Sequence, residues 1–119
     1  MRVILVDDEE ELVSTLAERL SLRGIQADWA TSCEGGLKLV EKEAYDLAVL
    51  DIKLPRMSGL ELKKRFQKKC PDMKFIFMTG HGSEDDFLAA SAETGADYYL
   101  VKPVQITALI EKMNKALAK

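Results

Sequence analysis

The sequence predicts an α/β domain in which five strands alternate with five helices, forming one parallel sheet covered by helices on both faces. Three short apolar runs lack a helical period: RVILV at 2–6, DLAVLD at 46–51 and MKFIFM at 73–78. Such runs are typical of strands buried on both faces. Every connection between elements is short, so right-handed crossovers between parallel strands are expected.

Two further strands complete the predicted sheet. Ile25, Ala27 and Trp29 alternate with polar residues, as in an edge strand. DYYLV at 97–101 is the fifth strand and precedes the last helix. We find no repeat, linker or low-complexity segment, so a single domain is expected.

The predicted helices are marked by apolar or small residues at helical spacing. Thr31-Ser32 and Ser83 are the expected caps of the second and fourth helices, and Gly24 and Gly95 the expected stops of the first and fourth. In chain order the stripes are Leu12, Val13, Leu16, Ala17 and Leu20; Leu37, Leu39 and Val40; Leu60, Leu62 and Phe66; Ala89, Ala90, Ser91 and Ala92; and Ile106, Leu109, Ile110, Met113 and Leu117.

Composition and charge exclude several classes of protein. The net charge of −3 over 119 residues argues against a nucleic-acid surface made by this domain itself. No apolar run approaches the roughly 20 residues that span a bilayer, and MRVILVDDEE is too acidic for a signal peptide, so a cytoplasmic location is expected. Cys33 and Cys70 share no metal-binding spacing, and two unpaired reduced thiols are expected.

Chemically useful residues stand at four predicted strand ends. Asp7-Asp8 follow the first strand, Asp51 ends another, and Thr79 and Lys102-Pro103 follow two more. Open α/β sheets build their sites at this edge. Each residue also has an ordinary explanation, such as a helix-dipole acid, a turn aspartate or a solvated lysine. Their conjunction favours three carboxylates gathered around a hard cation such as Mg²⁺.

The surroundings of these residues narrow the chemistry. The chain has neither a GxGxxG fingerprint nor a phosphate-cradling Gly-rich loop, and an acidic cluster would repel a nucleotide phosphate. Asp51 is followed by Leu54-Pro55 and Ser58-Gly59, which indicates a shaped loop. A carboxylate beside a divalent cation can act as a nucleophile on phosphorus, so the pattern predicts an acyl-phosphate switch.

The chain resembles the receiver domain of bacterial two-component response regulators. The matching stretches are VDDEE at 6–10, VLDIKLPRMSGLEL at 49–62, MTGHGS at 78–83, GADYYLVKP at 95–103, and the final amphipathic helix. The resemblance covers essentially all of the sequence. It implies one receiver domain over 1–119, with a flavodoxin-like doubly wound (βα)5 fold.

The resemblance also implies a metal site and its ligands. Asp51 resembles the phosphoacceptor, which in this family is also one of the carboxylates that hold Mg²⁺ or Mn²⁺. Asp8 resembles the direct metal ligand, Asp7 the one acting largely through water, and the backbone carbonyl of Lys53 the third protein ligand.

Three further residues resemble the family's switch. Thr79 matches the hydroxyl that moves toward the phosphoryl group, and Lys102 the cation that contacts it. Tyr99 matches the aromatic residue that turns inward on activation, although adjacent Tyr98 has the same side chain. Strand alternation places the two tyrosines on opposite faces, so only one can take that position.

The implied function is a phosphorylation-dependent signalling switch. Its donor would be a sensor histidine kinase or a histidine phosphotransfer protein, and its output would pass through the fourth helix, fifth strand and fifth helix to an effector domain or protein. A homodimer would use that same surface, and no membrane partner is expected. The domain would catalyse only its own phosphotransfer and dephosphorylation. The alternatives are a small phosphatase with an Asp nucleophile and a binding module with the same fold.

Overall fold

The computed structural model describes residues 1–80 and 98–118. Its strands are β1 (Arg2–Val6), β2 (Gln26–Ala30), β3 (Leu47–Asp51), β4 (Lys74–Thr79) and β5 (Tyr99–Val101). Its helices are α1 (Glu10–Ser21), α2 (Cys33–Lys42), α3 (Gly59–Lys69) and α4 (Ile106–Leu117). The helix predicted between Ser83 and Gly95 lies outside the described residues, so α4 here is the fifth predicted helix.

The five strands form one parallel sheet in the order β2-β1-β3-β4-β5. This is the flavodoxin-like order, and the predicted fold class is confirmed. The three apolar runs that were predicted to be strands buried on both faces form the interior strands β1, β3 and β4. The strand predicted to lie at an edge is the edge strand β2, where Trp29 is 37% exposed.

Apolar residues divide into two cores, one on each face of the sheet. Ile4 and Val6 point into a core closed by α2 and α3. Val3 and Leu5, one position out of step, point into a core closed by α1 and α4. This alternation follows from the period of two in a strand, and it requires helices on both faces.

Two helix ends follow the predicted capping chemistry. Ser32 Oγ accepts from the Gly35 N–H over 3.0 Å at the start of α2. Gly24 follows α1 with φ +79°, a left-handed conformation that glycine adopts without strain. Within residues 1–80 and 98–118, no helix has the length and apolar character needed to cross a membrane.

Two strand boundaries bear on the site. The predicted run 73–78 is shifted by one residue in β4, so Thr79 is the last residue of the strand and is completely buried. The last strand is shorter than the predicted 97–101, since β5 comprises only Tyr99–Val101. Both differences arise from pairing, because β5 meets β4 only from Phe77 to Thr79.

Candidate functional site

The structure brings the four strand-end signals together at the carboxyl edge of the sheet. Asp7 follows β1, Asp51 ends β3, Thr79 ends β4, and Lys102 follows β5. These four strands are consecutive neighbours in the sheet. The Lys102 N–H donates to the Thr79 carbonyl over 2.7 Å, which continues the pairing of β4 and β5 into the site.

Three carboxylates form the acidic centre of the site. Asp7, Asp8 and Asp51 each offer an oxygen, and these oxygens lie within 4.8 Å of one another. Asp7 is fully buried and Asp51 is 5% exposed, while Asp8 is exposed. Buried like charges are costly unless a cation accompanies them, and carboxylate oxygens suit Mg²⁺. The donor set therefore fits a divalent cation.

The Asp7 carboxyl shows the electrostatic cost of this arrangement. Burial is the main cause that raises its pKa from 3.8 to about 6. Lys102 and the Glu9 N–H, which donates to Asp7 Oδ1 over 2.9 Å, oppose this rise, and the Asp51 charge adds to it. The charged form of Asp7 is thus destabilised even with an ammonium beside it. A further positive charge would therefore stabilise the ionised carboxylate.

The backbone that follows Asp51 holds its carboxylate in place. The Lys53 N–H donates to Asp51 Oδ1 over 3.0 Å. The Gly59 N–H donates to the Ile52 carbonyl over 2.8 Å, which folds the loop back onto the strand. A Cβ at Gly59 would overlap the Asp51 carbonyl oxygen, so α3 begins directly against the end of β3. Within this loop Arg56 has φ 71°, an uncommon conformation for a non-glycine residue.

Lys102 lies in the middle of the carboxylates. Its Nζ is 2.6 Å from Asp7 Oδ2, 2.7 Å from Glu9 Oε1 and 3.3 Å from Asp51 Oδ2. The contact with Asp7 is an ion pair, since that oxygen accepts no well-directed hydrogen bond from the described residues. The Lys102-Pro103 peptide bond is cis.

The charge state of Lys102 follows from these neighbours. Burial by itself would lower the pKa of its ammonium. The close contacts with the Asp7 and Glu9 carboxylates, together with the charges of Asp7 and Asp51, outweigh burial and hold the pKa of Lys102 above its usual value. Lys102 is therefore a fixed positive charge at this site.

The strand register separates the two tyrosines. Tyr99 pairs with Phe77, and Val101 pairs with Thr79. Paired residues of a parallel sheet share a face, so Tyr99 lies on the same face as Thr79. Tyr99 is 7% exposed and belongs to the core under α2 and α3, whereas Tyr98 packs against the opposite core. Of the two tyrosines, Tyr99 is the one on the face of Thr79.

A small cleft opens above the carboxylates. It measures about 180 Å³ and is lined by Glu9, Asp51, Lys53, Gly80 and Lys102. Pockets for drug-sized ligands and cofactors usually measure about 300–1,000 Å³, so this cleft suits a small anion better than an organic cofactor. The side chain of Lys53 is exposed at its rim.

Glu9 is a site residue that the sequence reasoning missed. From the sequence, an acidic residue at this position was explained by the helix dipole, because Glu9 directly precedes α1. The structure places its carboxylate 2.7 Å from the Lys102 ammonium instead, and its side chain makes no cap hydrogen bond to the helix. The available signal was the adjacency of Glu9 to the Asp7-Asp8 pair.

Comparison with known proteins identifies the family. The family model described as the response regulator receiver domain matches residues 3–114. The chain therefore belongs to the response regulator receiver domain family, whose members are phosphorylation-dependent switches of two-component systems.

Individual relatives agree with this assignment. Transcriptional regulatory protein GlrR of Escherichia coli is 36% identical over 115 residues, which are 97% of this chain and 26% of GlrR. TrrA from Thermotoga maritima, solved in complex with Mg²⁺-BeF, is 37% identical with a TM-score of 0.80 and 98% coverage of both chains. A Burkholderia pseudomallei response regulator solved with a phosphorylated aspartic acid, a calcium ion and citrate is 30% identical with a TM-score of 0.83, covering 93% of this chain and 65% of that one.

The curated relatives are longer than this chain, which spans 26% of GlrR and 52% of a second relative, the PhoP response regulator of Pseudomonas aeruginosa.

Proposed function

We propose that Asp51 accepts a phosphoryl group from a phosphohistidine on a sensor histidine kinase or a histidine phosphotransfer protein, and that the resulting charge switches the surface of the domain. The donor's P–N bond breaks, a bond forms between phosphorus and an Asp51 carboxylate oxygen, and the imidazole leaves. Water later hydrolyses the acyl phosphate. The domain thus catalyses only its own modification and reset.

The environment of Asp51 is the observation that carries this proposal. Its side chain is nearly buried, yet it borders the open cleft of about 180 Å³. One carboxylate oxygen accepts the Lys53 N–H and the other lies 3.3 Å from Lys102 Nζ, so the group is oriented by two donors. A fixed carboxylate beside a site for positive charge is what attack on an anionic phosphoryl group requires.

The proposed metal ligands are Asp7, Asp8, Asp51 and the backbone carbonyl of Lys53. Mg²⁺, or Mn²⁺ in its place, would neutralise charge that develops on the phosphoryl oxygens. The mutual proximity of the three carboxylates supports this ligand set. The Mg²⁺-BeF complex of TrrA supports the same choice of metal.

Lys102 and Thr79 are the proposed contacts of the transferred group. The Lys102 ammonium already lies 3.3 Å from Asp51 Oδ2 and can donate to a phosphoryl oxygen with a small movement. Thr79 ends the strand next to Asp51 and can offer its hydroxyl from the other side. Tyr99 lies on the face of Thr79, so a shift of Thr79 would change the space available to that ring.

The output is proposed to pass through the surface formed by the fourth predicted helix, β5 and α4, toward an effector domain or protein. A homodimer would use the same surface. The acidic net charge supports partners other than nucleic acid for this domain. We infer a cytoplasmic location, which suits a receiver of signals from a histidine kinase.

The test is phosphorylation by acetyl phosphate in the presence of Mg²⁺, followed by intact-mass analysis. We expect one added phosphoryl group that is absent with EDTA and labile to hydroxylamine, as an acyl phosphate is. Asp51→Asn should remain unmodified. The matched control is Asp72→Asn, which changes an exposed aspartate remote from the cleft and should be modified normally. Equal modification of Asp51→Asn would refute the assignment of the acceptor.

A turnover assay separates the switch from a phosphatase. With simple phosphate esters in excess, a phosphatase should release many equivalents of phosphate per chain, whereas the switch should not sustain turnover. Sustained multiple turnovers would reject it. Phosphatases of this kind usually place a second carboxylate two positions after the nucleophile, where this chain has Lys53.

A further inference from the structure

We propose that Glu9 is a positioning residue that holds the Lys102 ammonium when the site binds a divalent cation. The inference rests on the proposed function, because it concerns the same metal site. It assigns a role to a carboxylate outside the set of metal ligands.

Lys102 and a metal ion would compete for the same oxygens. The ammonium lies 2.6 Å from Asp7 Oδ2 and 3.3 Å from Asp51 Oδ2, and both aspartates belong to the cluster suited to a metal. Two positive charges a few ångströms apart in a poorly solvated site repel each other strongly. Metal binding therefore requires the ammonium to give up part of its contact with Asp7 and Asp51.

Glu9 offers the ammonium a partner that the metal does not need. Its Oε1 lies 2.7 Å from Lys102 Nζ, and Glu9 is not among the three grouped carboxylates. Its side chain is 62% exposed, so it lies on the solvent side of the ammonium, while Asp7 lies on the buried side. The ammonium can move toward Glu9 without becoming unpaired.

Within the described residues, the start of α1 makes no use of the Glu9 side chain. It stands at the N-cap position of α1, where the short side chains of Ser, Thr, Asp and Asn are favoured because they reach the first free N–H groups. The Glu9 side chain makes no such bond and extends to Lys102 instead. The start of the helix therefore lacks a side-chain cap, and the carboxylate serves the ammonium.

Removing the Glu9 charge should weaken metal binding through Lys102. In Glu9→Gln the carboxylates that still pair with the ammonium, among the described residues, are those that the metal needs. The Glu9 contact exists without the metal and must strengthen as the ammonium leaves Asp7 and Asp51, so the dissociation constant for Mg²⁺ should rise about fivefold, the upper size expected for one partly exposed ion pair. Removing the ammonium in Lys102→Met should instead lower that constant, since the competitor is gone.

The experiment is a double-mutant cycle measured by calorimetric titration with MgCl₂ at fixed ionic strength. Wild type, Glu9→Gln, Lys102→Met and the double variant are compared, after circular dichroism in EDTA verifies that each is folded. Lys102→Gln replaces Lys102→Met if the latter does not fold. We expect Glu9→Gln to weaken binding about fivefold in the presence of Lys102 and less than twofold in its absence.

Generic attraction between an acidic residue and the metal predicts a different result. It requires the same loss from Glu9→Gln in both backgrounds, and that result would overturn the inference. So would tighter binding by Glu9→Gln or weaker binding by Lys102→Met. Glu10→Gln is the matched control: it removes an exposed charge from the next position, and it should change the dissociation constant less than twofold.

Failure of the proposed function is distinguishable from failure of this inference. If wild type takes up no Mg²⁺, the metal site itself is wrong and the role of Glu9 is wrong with it. If wild type binds Mg²⁺ and the two substitutions act additively, only the role of Glu9 is rejected.

Discussion

Replacing Asp7 with Asn should stabilise the protein when no divalent cation is present. Asp7 is fully buried, and burial raises the pKa of its carboxyl from 3.8 to about 6. At neutral pH this rise costs the native state about 3 kcal/mol, taking 1.36 kcal/mol for each pH unit between the two values. That cost already includes the favourable 2.6 Å contact with Lys102, which Asn removes together with the charge. Asn also places a neutral amide beside the Lys102 ammonium, which offsets part of the gain, so we expect a net gain of about 1–2 kcal/mol in the free energy of unfolding.

The gain should depend on pH with a definite sign. Between pH 3.8 and about 6 the native protein holds a proton on Asp7 that the unfolded chain has released, so wild-type stability falls as pH rises through this window. Asn has no such titration. The advantage of Asp7→Asn should thus be small at the acidic end of the window and complete above about pH 7.

Urea unfolding in EDTA, followed by circular dichroism at several pH values from about 5 to 8, measures this difference. Asp8→Asn is the matched control: Asp8 belongs to the same cluster but is exposed, and its replacement should change stability by less than about 0.5 kcal/mol. A loss of stability in Asp7→Asn at pH 8, or a gain that does not vary with pH, would refute the reasoning. Saturating Mg²⁺ should reduce the gain, because only wild type keeps all three carboxylates.

Three further substitutions test other parts of the site. Gly59→Ala should lower the free energy of unfolding by about 1–3 kcal/mol in urea titrations, because its Cβ would overlap the backbone at the end of β3. The control is Gly80→Ala, where a Cβ would make ordinary contact at 3.8 Å, and it should lower the free energy of unfolding much less. Equal losses in the two variants would contradict the packing argument. Lys102→Ala should still be phosphorylated, as seen by intact mass, yet show smaller amide shifts on activation; unchanged shifts would reject its role. Tyr99→Ala should reduce those amide shifts more than Tyr98→Ala, and the reverse order would assign the switch position to Tyr98.

Element types were predictable because each apolar pattern has one dominant period. The alternation of Val3 and Leu5 against Ile4 and Val6 places two apolar faces on β1, and only helices on both sides can cover them. The exact boundaries of the strands were harder to predict, since they depend on pairing with strands far away in the sequence. Thr79 belongs to β4 because it pairs with Val101.

Packing against α2 shows a second limit of sequence reasoning. The predicted stripe comprised Leu37, Leu39 and Val40, but the buried residues of α2 are Cys33, Gly36 and Val40. A Cβ at Gly36 would lie 3.1 Å from Val6 Cγ2 and 3.2 Å from the Phe66 ring, so this glycine permits close approach of the helix. Hydrophobic periodicity does not indicate a contact that is possible only because glycine has no side chain.

The grouping of the candidate site residues was predictable, and the contacts among them were not. The rule for carboxyl ends of parallel strands groups Asp7, Asp51, Thr79 and Lys102 at one edge. It does not specify which acids the ammonium contacts. Glu9 and Lys102 are 93 positions apart, and their 2.7 Å contact depends on the register of β5 beside β4. Only the three-dimensional structure shows that an exposed glutamate at the start of a helix contacts a lysine that follows the last strand of the sheet.

The same contacts connect the charge at the site with the outer strand. Lys102 is the ammonium shared by Asp7, Glu9 and Asp51, and burial raises the pKa of Asp7 despite the presence of that ammonium. A divalent cation and a phosphoryl group alter this charge in opposite directions, so each would change where the ammonium is held most strongly. The backbone N–H of Lys102 is bound to the Thr79 carbonyl, and β5 immediately precedes it. A change in charge at Asp51 would therefore act on the strand that carries Tyr99.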